Sequence, residues 1–220
     1  MKKLISLLIG FLFCYSISFA GITKAPALVD TWTIVPVNAT LLGANCSLAT
    51  DYQTVLTVDV ASVAATAQTN GVRIIVFGST NTTTDSAWFP IATVNTLAGV
   101  TATANITWCD NNAANTSIYT NLTTGFQTKG MQFFINDSTQ ANAEICYVSN
   151  WTANAQVFTV WPLINTHVAG SVIYGANSTS SLVFAIPDSV YRIRVLYDNA
   201  QDAAGPAVAV RSKVSQLTGI

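Results

Sequence analysis

Residues 189–214 read SVYRIRVLYDNAQDAAGPAVAVRSKV. Tyr191, Ile193, Val195 and Tyr197 fall on one side of a two-residue period, and Arg192 and Arg194 fall on the other. Val208, Val210 and Val214 repeat the pattern with Arg211 and Lys213 opposite. Successive side chains of a strand point to opposite faces, so this alternation marks half-buried strands. An Asp/Asn/Gly/Pro-bearing connection between the two runs predicts an antiparallel hairpin.

The same alternation recurs in weaker form along the chain. Trp32 to Val35 ends at Pro36, which has no amide hydrogen and therefore predicts an edge strand or a strand end. Thr54 to Val63 and Val72 to Gly78 flank the turn signal Asn70-Gly71 and predict a second hairpin. Ile74 to Phe77 is continuously apolar, which predicts cover on both faces of that strand. Further strands are expected at Asp85–Ile91, Ala98–Cys109, Ile118–Tyr119, Met131–Ile135, Ala143–Ser149, Ala155–Leu163, Ser171–Tyr174 and Ser181–Ile186. Beyond the first twenty residues no segment has a convincing 3.6-residue period. The expectation is an all-β fold: a single β-sandwich of jelly-roll or immunoglobulin-like kind, with about ten to twelve short antiparallel strands.

Residues 1–20 carry Lys2 and Lys3, an apolar run from Leu4 to Tyr15, and Ser18-Phe19-Ala20. A positive start, a short apolar stretch and a small-x-small site read as a secretory signal peptide, with residues 21–220 as the secreted β-sandwich domain. No later segment approaches the apolar length of a transmembrane helix. The expected location is secreted or cell-surface, with the periplasm as the alternative.

Charged residues make up 9% of the chain, against roughly 25% in an ordinary soluble domain. After loss of the leader, seven Lys/Arg face ten Asp/Glu, a net charge of −3. Such a surface opposes association weakly, and it disfavours a nucleic-acid partner. Disorder is excluded because half the residues are hydrophobic.

The chain lacks GxSxG, HExxH, CxxC and P-loop patterns. His167 is the single histidine, so no metal site or cofactor is expected, and it reads as a satisfied surface or turn residue. Glu144 is the single glutamate, and most aspartates read as turn residues that cap their own backbone. Asp198, Asn199 and Asp202 offer oxygens to a calcium ion but lack the full loop pattern, so turn formation is the better reading. Nine Asn-x-Ser/Thr sequons, Asn45 and Asn150 among them, are acceptors only where a glycosylation system exists.

Export permits disulfides. Cys109 and Cys146 are the expected intrachain pair, which leaves Cys46 in a loop as a candidate intermolecular thiol. Trp151, in the polar stretch SNWTAN, is the candidate sugar-stacking residue. Arg192, Arg194, Arg211 and Lys213 are four of seven mature cations. On a hairpin they share one face, where like charges cost stability unless a partner offsets them. That face is the candidate partner surface.

These features predict a non-enzymatic structural subunit of a self-assembling filament, layer or matrix, homo-oligomeric or polymeric. The alternative is a secreted carbohydrate-binding or adhesion module that recognises a surface polysaccharide. A virion or tail structural protein is a further alternative. Donor-strand exchange by the N-terminal segment GITKAP is a minor variant of assembly.

Overall fold

The computed structural model describes residues 23–48, 53–63, 70–83, 87–96, 103–109, 117–121, 132–152, 157–160, 163–175, 179–201 and 205–218. The leader expected at 1–20 lies outside the described residues. Fifteen strands are present among the described residues: β1 (Thr23–Val35), β2 (Thr40–Leu42), β3 (Cys46–Ser47), β4 (Thr54–Ser62), β5 (Val72–Ser79), β6 (Trp88–Thr96), β7 (Thr103–Cys109), β8 (Ser117–Thr120), β9 (Gln132–Asn136), β10 (Glu144–Thr152), β11 (Val157–Val160), β12 (Val172–Tyr174), β13 (Thr179–Ile186), β14 (Arg192–Asp198) and β15 (Val208–Thr218). A 3-10 turn, Gln140–Asn142, precedes β10. The all-β expectation holds. The strand count exceeds it because β2 and β3, at three and two residues, are too short to show a period.

All strand pairs are antiparallel. Sheet A has the order β1-β15-β4-β13, sheet B has β2-β14-β5-β6 with β3 also on β14, and six strands close a barrel in the order β10-β11-β8-β7-β12-β9. The inner faces of sheets A and B enclose the main core. Val35, Leu56, Val58, Val60, Val208, Val210 and Val214 come from sheet A, and Val72, Ile74, Val76, Ile193, Val195 and Tyr197 from sheet B. Each such aliphatic side chain contributes about 1.5–3 kcal/mol relative to exposure.

The barrel covers part of the outer face of sheet A, while Val183 of β13 on that face stays exposed. Trp32, Ala61 and Ala209 meet Phe134, Ala143 and Tyr174 there, with the Trp32 and Phe134 ring centroids 4.7 Å apart. Alternation along β9, β10 and β12 then turns Phe133, Ile135, Cys146, Val148 and Ile173, all buried, toward the barrel interior. Sheet A is therefore the middle of three layers, between sheet B and the barrel, and the barrel is the layer that periodicity does not announce.

Both expected hairpins are corrected. β14 pairs with β5, β2 and β3, whereas β15 pairs with β1 and β4. β4 likewise pairs with β13 and β15, while β5 pairs with β14 and β6. Each connection is an arch from one sheet to the other. An arch and a hairpin bury the same alternate residues, so periodicity does not separate them. At the β14–β15 arch, Asn199 Nδ2 donates to Pro36 O at 2.9 Å and Pro206 O at 3.1 Å. Those bonds pin the crossing to the end of β1.

β1 runs from Thr23 and pairs with β15 from Thr23↔Thr218 onward. Thr23 to Pro26 of the GITKAP segment thus belong to an edge strand of the chain's own sheet, and Gly21 and Ile22 lie outside the described residues. β1 ends at Val35, before Pro36. β5 also departs from expectation: Ile75 and Phe77 are half-buried rather than covered on the outer face.

Candidate functional site

The four clustered cations separate with their strands. Arg211 and Lys213 lie on the outer face of sheet A. Arg192 and Arg194 lie on the outer face of sheet B, on the far side of the sandwich. They do not form one partner face, because the hairpin that united them is an arch.

The sheet A pair is spent internally. Arg211 Nε and Nη2 donate to Asp59 Oδ2 at 3.1 and 2.7 Å, and Lys213 Nζ lies 3.4 Å from the same oxygen. Ser181 Oγ donates to Asp59 Oδ1 at 2.7 Å. The Arg211 guanidinium also lies 4.5 Å from the Trp32 ring centroid. Trp32 is thereby held between a neutralised cation and Phe134 of the barrel. This cluster joins layers.

The sheet B pair rests on aromatic rings. Cross-strand register sets Arg194 beside Phe77, and Arg192 beside Ser79 and Trp88. The Arg194 guanidinium carbon is 4.2 Å from the Trp88 centroid and 5.7 Å from that of Phe77, and Arg192 is 5.1 Å from Trp88. A cation over an aromatic face is worth about 0.5–2 kcal/mol, more when desolvated. Arg192 is buried, and the buried Nε of Arg194 has no hydrogen-bond acceptor. Leu42, 50% exposed, lies beside Leu196 on this face, next to half-buried Ile75. At the far end Arg73 Nε donates to Asp198 Oδ2 at 3.0 Å. Arg, Trp, Phe and Leu around a desolvated centre is the composition of protein interfaces.

A second polar cluster escapes sequence reasoning. His167, expected at the surface, is fully buried at one end of the barrel. Its Nδ1 lies 3.0 Å from Asp137 Oδ2, just beyond β9, and its Nε2 lies 2.7 Å from Glu144 Oε1 at the start of β10. Ser171 Oγ donates to Asp137 Oδ2 at 3.0 Å. The Glu144 carboxylate also accepts from Ile164 N and Asn165 N, both at 3.0 Å. Burial pushes the Asp137 carboxyl up, but the bonds from Thr139 N, His167 and Ser171 outweigh it and leave the group below the usual carboxylate range.

This cluster fastens the β11–β12 connection across the barrel end. The carboxylate oxygens that face His167 also accept from Ser171 and Asn165. The connection presents Ile164, 77% exposed, and Val168, 51% exposed, to solvent on either side of the buried ring. The one sequence signal for the cluster is that the single His and single Glu sit in a chain with few charges to pair.

The remaining candidates divide as follows. Cys46 lies in β3 and not in a loop; it pairs with Ile193 and packs against the main core. Burial raises its thiol pKa, and Asp30 adds to the effect, so its thiolate form is suppressed. Cys146 is buried in β10, and Cys109 ends β7, which is not adjacent to β10 in the barrel. The Cys109 side chain, on which the expected disulfide depends, lies outside the described residues. Trp151 is in strand β10 opposite Phe158, not in the turn. Its side chain also lies outside the described residues. Asp198 caps Ala200 N at 3.0 Å, as turn formation requires. Among the described residues no helix is long and apolar enough to cross a membrane.

No protein-family model and no curated protein matches the chain. Among solved structures the chain is similar to VP17, a capsid protein of bacteriophage P23-77, at 10% identity and a TM-score of 0.23. The match covers 91% of this chain and 98% of that one. An overlap that low does not make the two folds the same, and nothing about this chain follows from it.

Proposed function

We propose that the chain is a non-enzymatic structural subunit, exported and assembled with further copies into an extracellular or cell-surface filament, layer or matrix. The observation that carries this reading is the contrast between the two outer sheet faces. That of sheet A meets the barrel through Trp32, Ala61 and Ala209. That of sheet B holds arginines over aromatic rings, with Leu42 half exposed beside them. The half-buried carboxylate of Asp30 and the buried ones of Asp59, Asp137, Glu144 and Asp198 each hold protein groups in place. A catalytic carboxylate instead must reach substrate. The pattern of residues 1–20 supports export.

Light scattering and negative-stain microscopy of the purified protein test the reading. High-order species with a repeated geometry are the expected result. A strict monomer at high concentration overturns it. The virion variant of the same reading predicts closed shells or tubes in those micrographs.

A further inference from the structure

We propose that two copies of this chain join edge to edge through β13, antiparallel about a two-fold axis at Val183, so that their A sheets become one sheet. This rests on the subunit reading and names its contact.

A strand at the edge of a sheet leaves a row of backbone donors and acceptors unpaired. Proteins guard such edges with short strands, proline, charge or a bulge. The barrel closes on itself, so the edges among the described strands belong to sheets A and B. In sheet B, β2 and β3 are three and two residues long, and β6 carries Pro90 and a register shift opposite Val76 and Phe77. In sheet A, β1 carries Lys24, Pro26 and Asp30 and has two register shifts against β15. Among these edges β13 alone has no such guard. Its sequence TSSLVFAI holds neither charge nor proline, and it pairs with β4 without a break from Thr179↔Ala61 to Ile186↔Thr54. Among the described strands β4 is its one neighbour.

The side chains of β13 suit a second copy of the same strand. Alternation sends Leu182 and Phe184 to the inner face, where they pack against the main core and stay half-buried. Ser181, Val183 and Ala185 lie on the outer face and are exposed, Val183 by 68%. An antiparallel copy about an axis at Val183 sets Val183 opposite the partner's Val183 and Leu182 opposite the partner's Phe184. The inner pairs then continue the core across the joint, and the outer pair covers the most exposed apolar residue of the strand. A two-fold contact brings equivalent residues together, so like charges near its axis oppose each other and cost stability. β13 brings none to the joint.

Sedimentation velocity of the purified protein over a concentration series tests the contact. Val183→Lys and Val183→Glu each place like charges on the axis at an exposed position, and each weakens self-association by at least about tenfold. An equimolar mixture of the two variants sets opposite charges across the axis and associates to within about threefold of wild type. Leu28→Lys, the same change at an exposed position of the guarded edge β1, leaves association at the wild-type value. Circular dichroism confirms that each variant is folded. Val183→Cys replaces any that is not, and mild oxidation then gives a covalent dimer that the wild type does not form. Wild-type association in both charged variants, a mixture no stronger than either variant alone, or no cross-link overturns this interface and leaves the subunit reading standing. A wild-type protein that stays monomeric overturns both.

Discussion

The hydroxyl of Tyr197 donates a 2.8 Å hydrogen bond to Oδ2 of Asp30, joining β14 of sheet B to β1 of sheet A across the main core. The same oxygen accepts from Ser212 Oγ at 2.6 Å, and Oδ1 accepts from Ala44 N at 2.7 Å. A carboxylate between two sheets is tolerated because its acceptors are filled. Asp30→Ala leaves two hydroxyls without an acceptor and is expected to cost about 2–4 kcal/mol. Tyr197→Phe removes one bond with little change of shape and should cost about 1 kcal/mol. Urea denaturation measures both, and equal losses would show that Ser212 contributes nothing.

Gly43 makes the Asp30 position possible. Its amide donates to Val195 O at 2.7 Å, and a Cβ there would stand 2.5 Å from Asp30 Oδ2. Gly43→Ala must displace the carboxylate from its donors, with an expected loss of about 1–3 kcal/mol. Combining Gly43→Ala with Asp30→Ala should cost less than the sum of the two, because the obstacle is then gone.

Tyr197 also gives an alkaline signature. Burial first, then the Asp30 charge, push its pKa above the ordinary tyrosine value. A group whose folded pKa is raised stabilises the fold fully below its unfolded value, about 10, and that contribution is lost as pH rises above it. Stability should therefore fall above that pH. The phenolate absorbance of Tyr197 should rise only together with loss of far-ultraviolet structure. Ionisation of all tyrosines in the folded state would contradict it.

The barrel end carries the acid signature. The Asp137 carboxyl lies below its usual range in the folded state. Its contribution is complete above the unfolded value, about 3.9, and is lost as pH falls through the lower folded value. Asp137→Asn should flatten the acid limb of the stability profile. His167→Ala leaves two buried carboxylates facing each other's cavity without the shared donor, and about 3–5 kcal/mol is the expected loss. An unchanged melting temperature for His167→Ala would remove the structural role given to this cluster.

Cys46 should react slowly with a thiol reagent in the folded protein. Its raised pKa keeps the thiolate scarce near neutrality, and half of the residue's surroundings are core. Labelling should accelerate as pH rises and again on unfolding. Rapid labelling at neutral pH would restore the intermolecular-link reading of this residue.

The sequence by itself determined which side chains face inward. Ile193, Val195 and Tyr197 of β14, and Val208, Val210 and Val214 of β15, are buried as alternation requires. It also placed the end of β1 before Pro36, because a missing amide hydrogen is a local fact. Tertiary structure alone decided the partners. The face a strand buries depends on its own period, whereas its neighbours depend on where the chain goes after the turn. Asn199 settles that by bonding to Val35 and Pro36 at the end of β1, more than 160 residues away, as well as to nearby Pro206. The same distinction separates the charges. Asp137 and Glu144 meet His167 from 30 and 23 residues away, and no spacing rule encodes a contact closed by a barrel end. Arg192 and Arg194 were visible as cations on an outer face; that they face away from Arg211 and Lys213 follows from the arch. Periodicity is a property of one strand, and a site belongs to several.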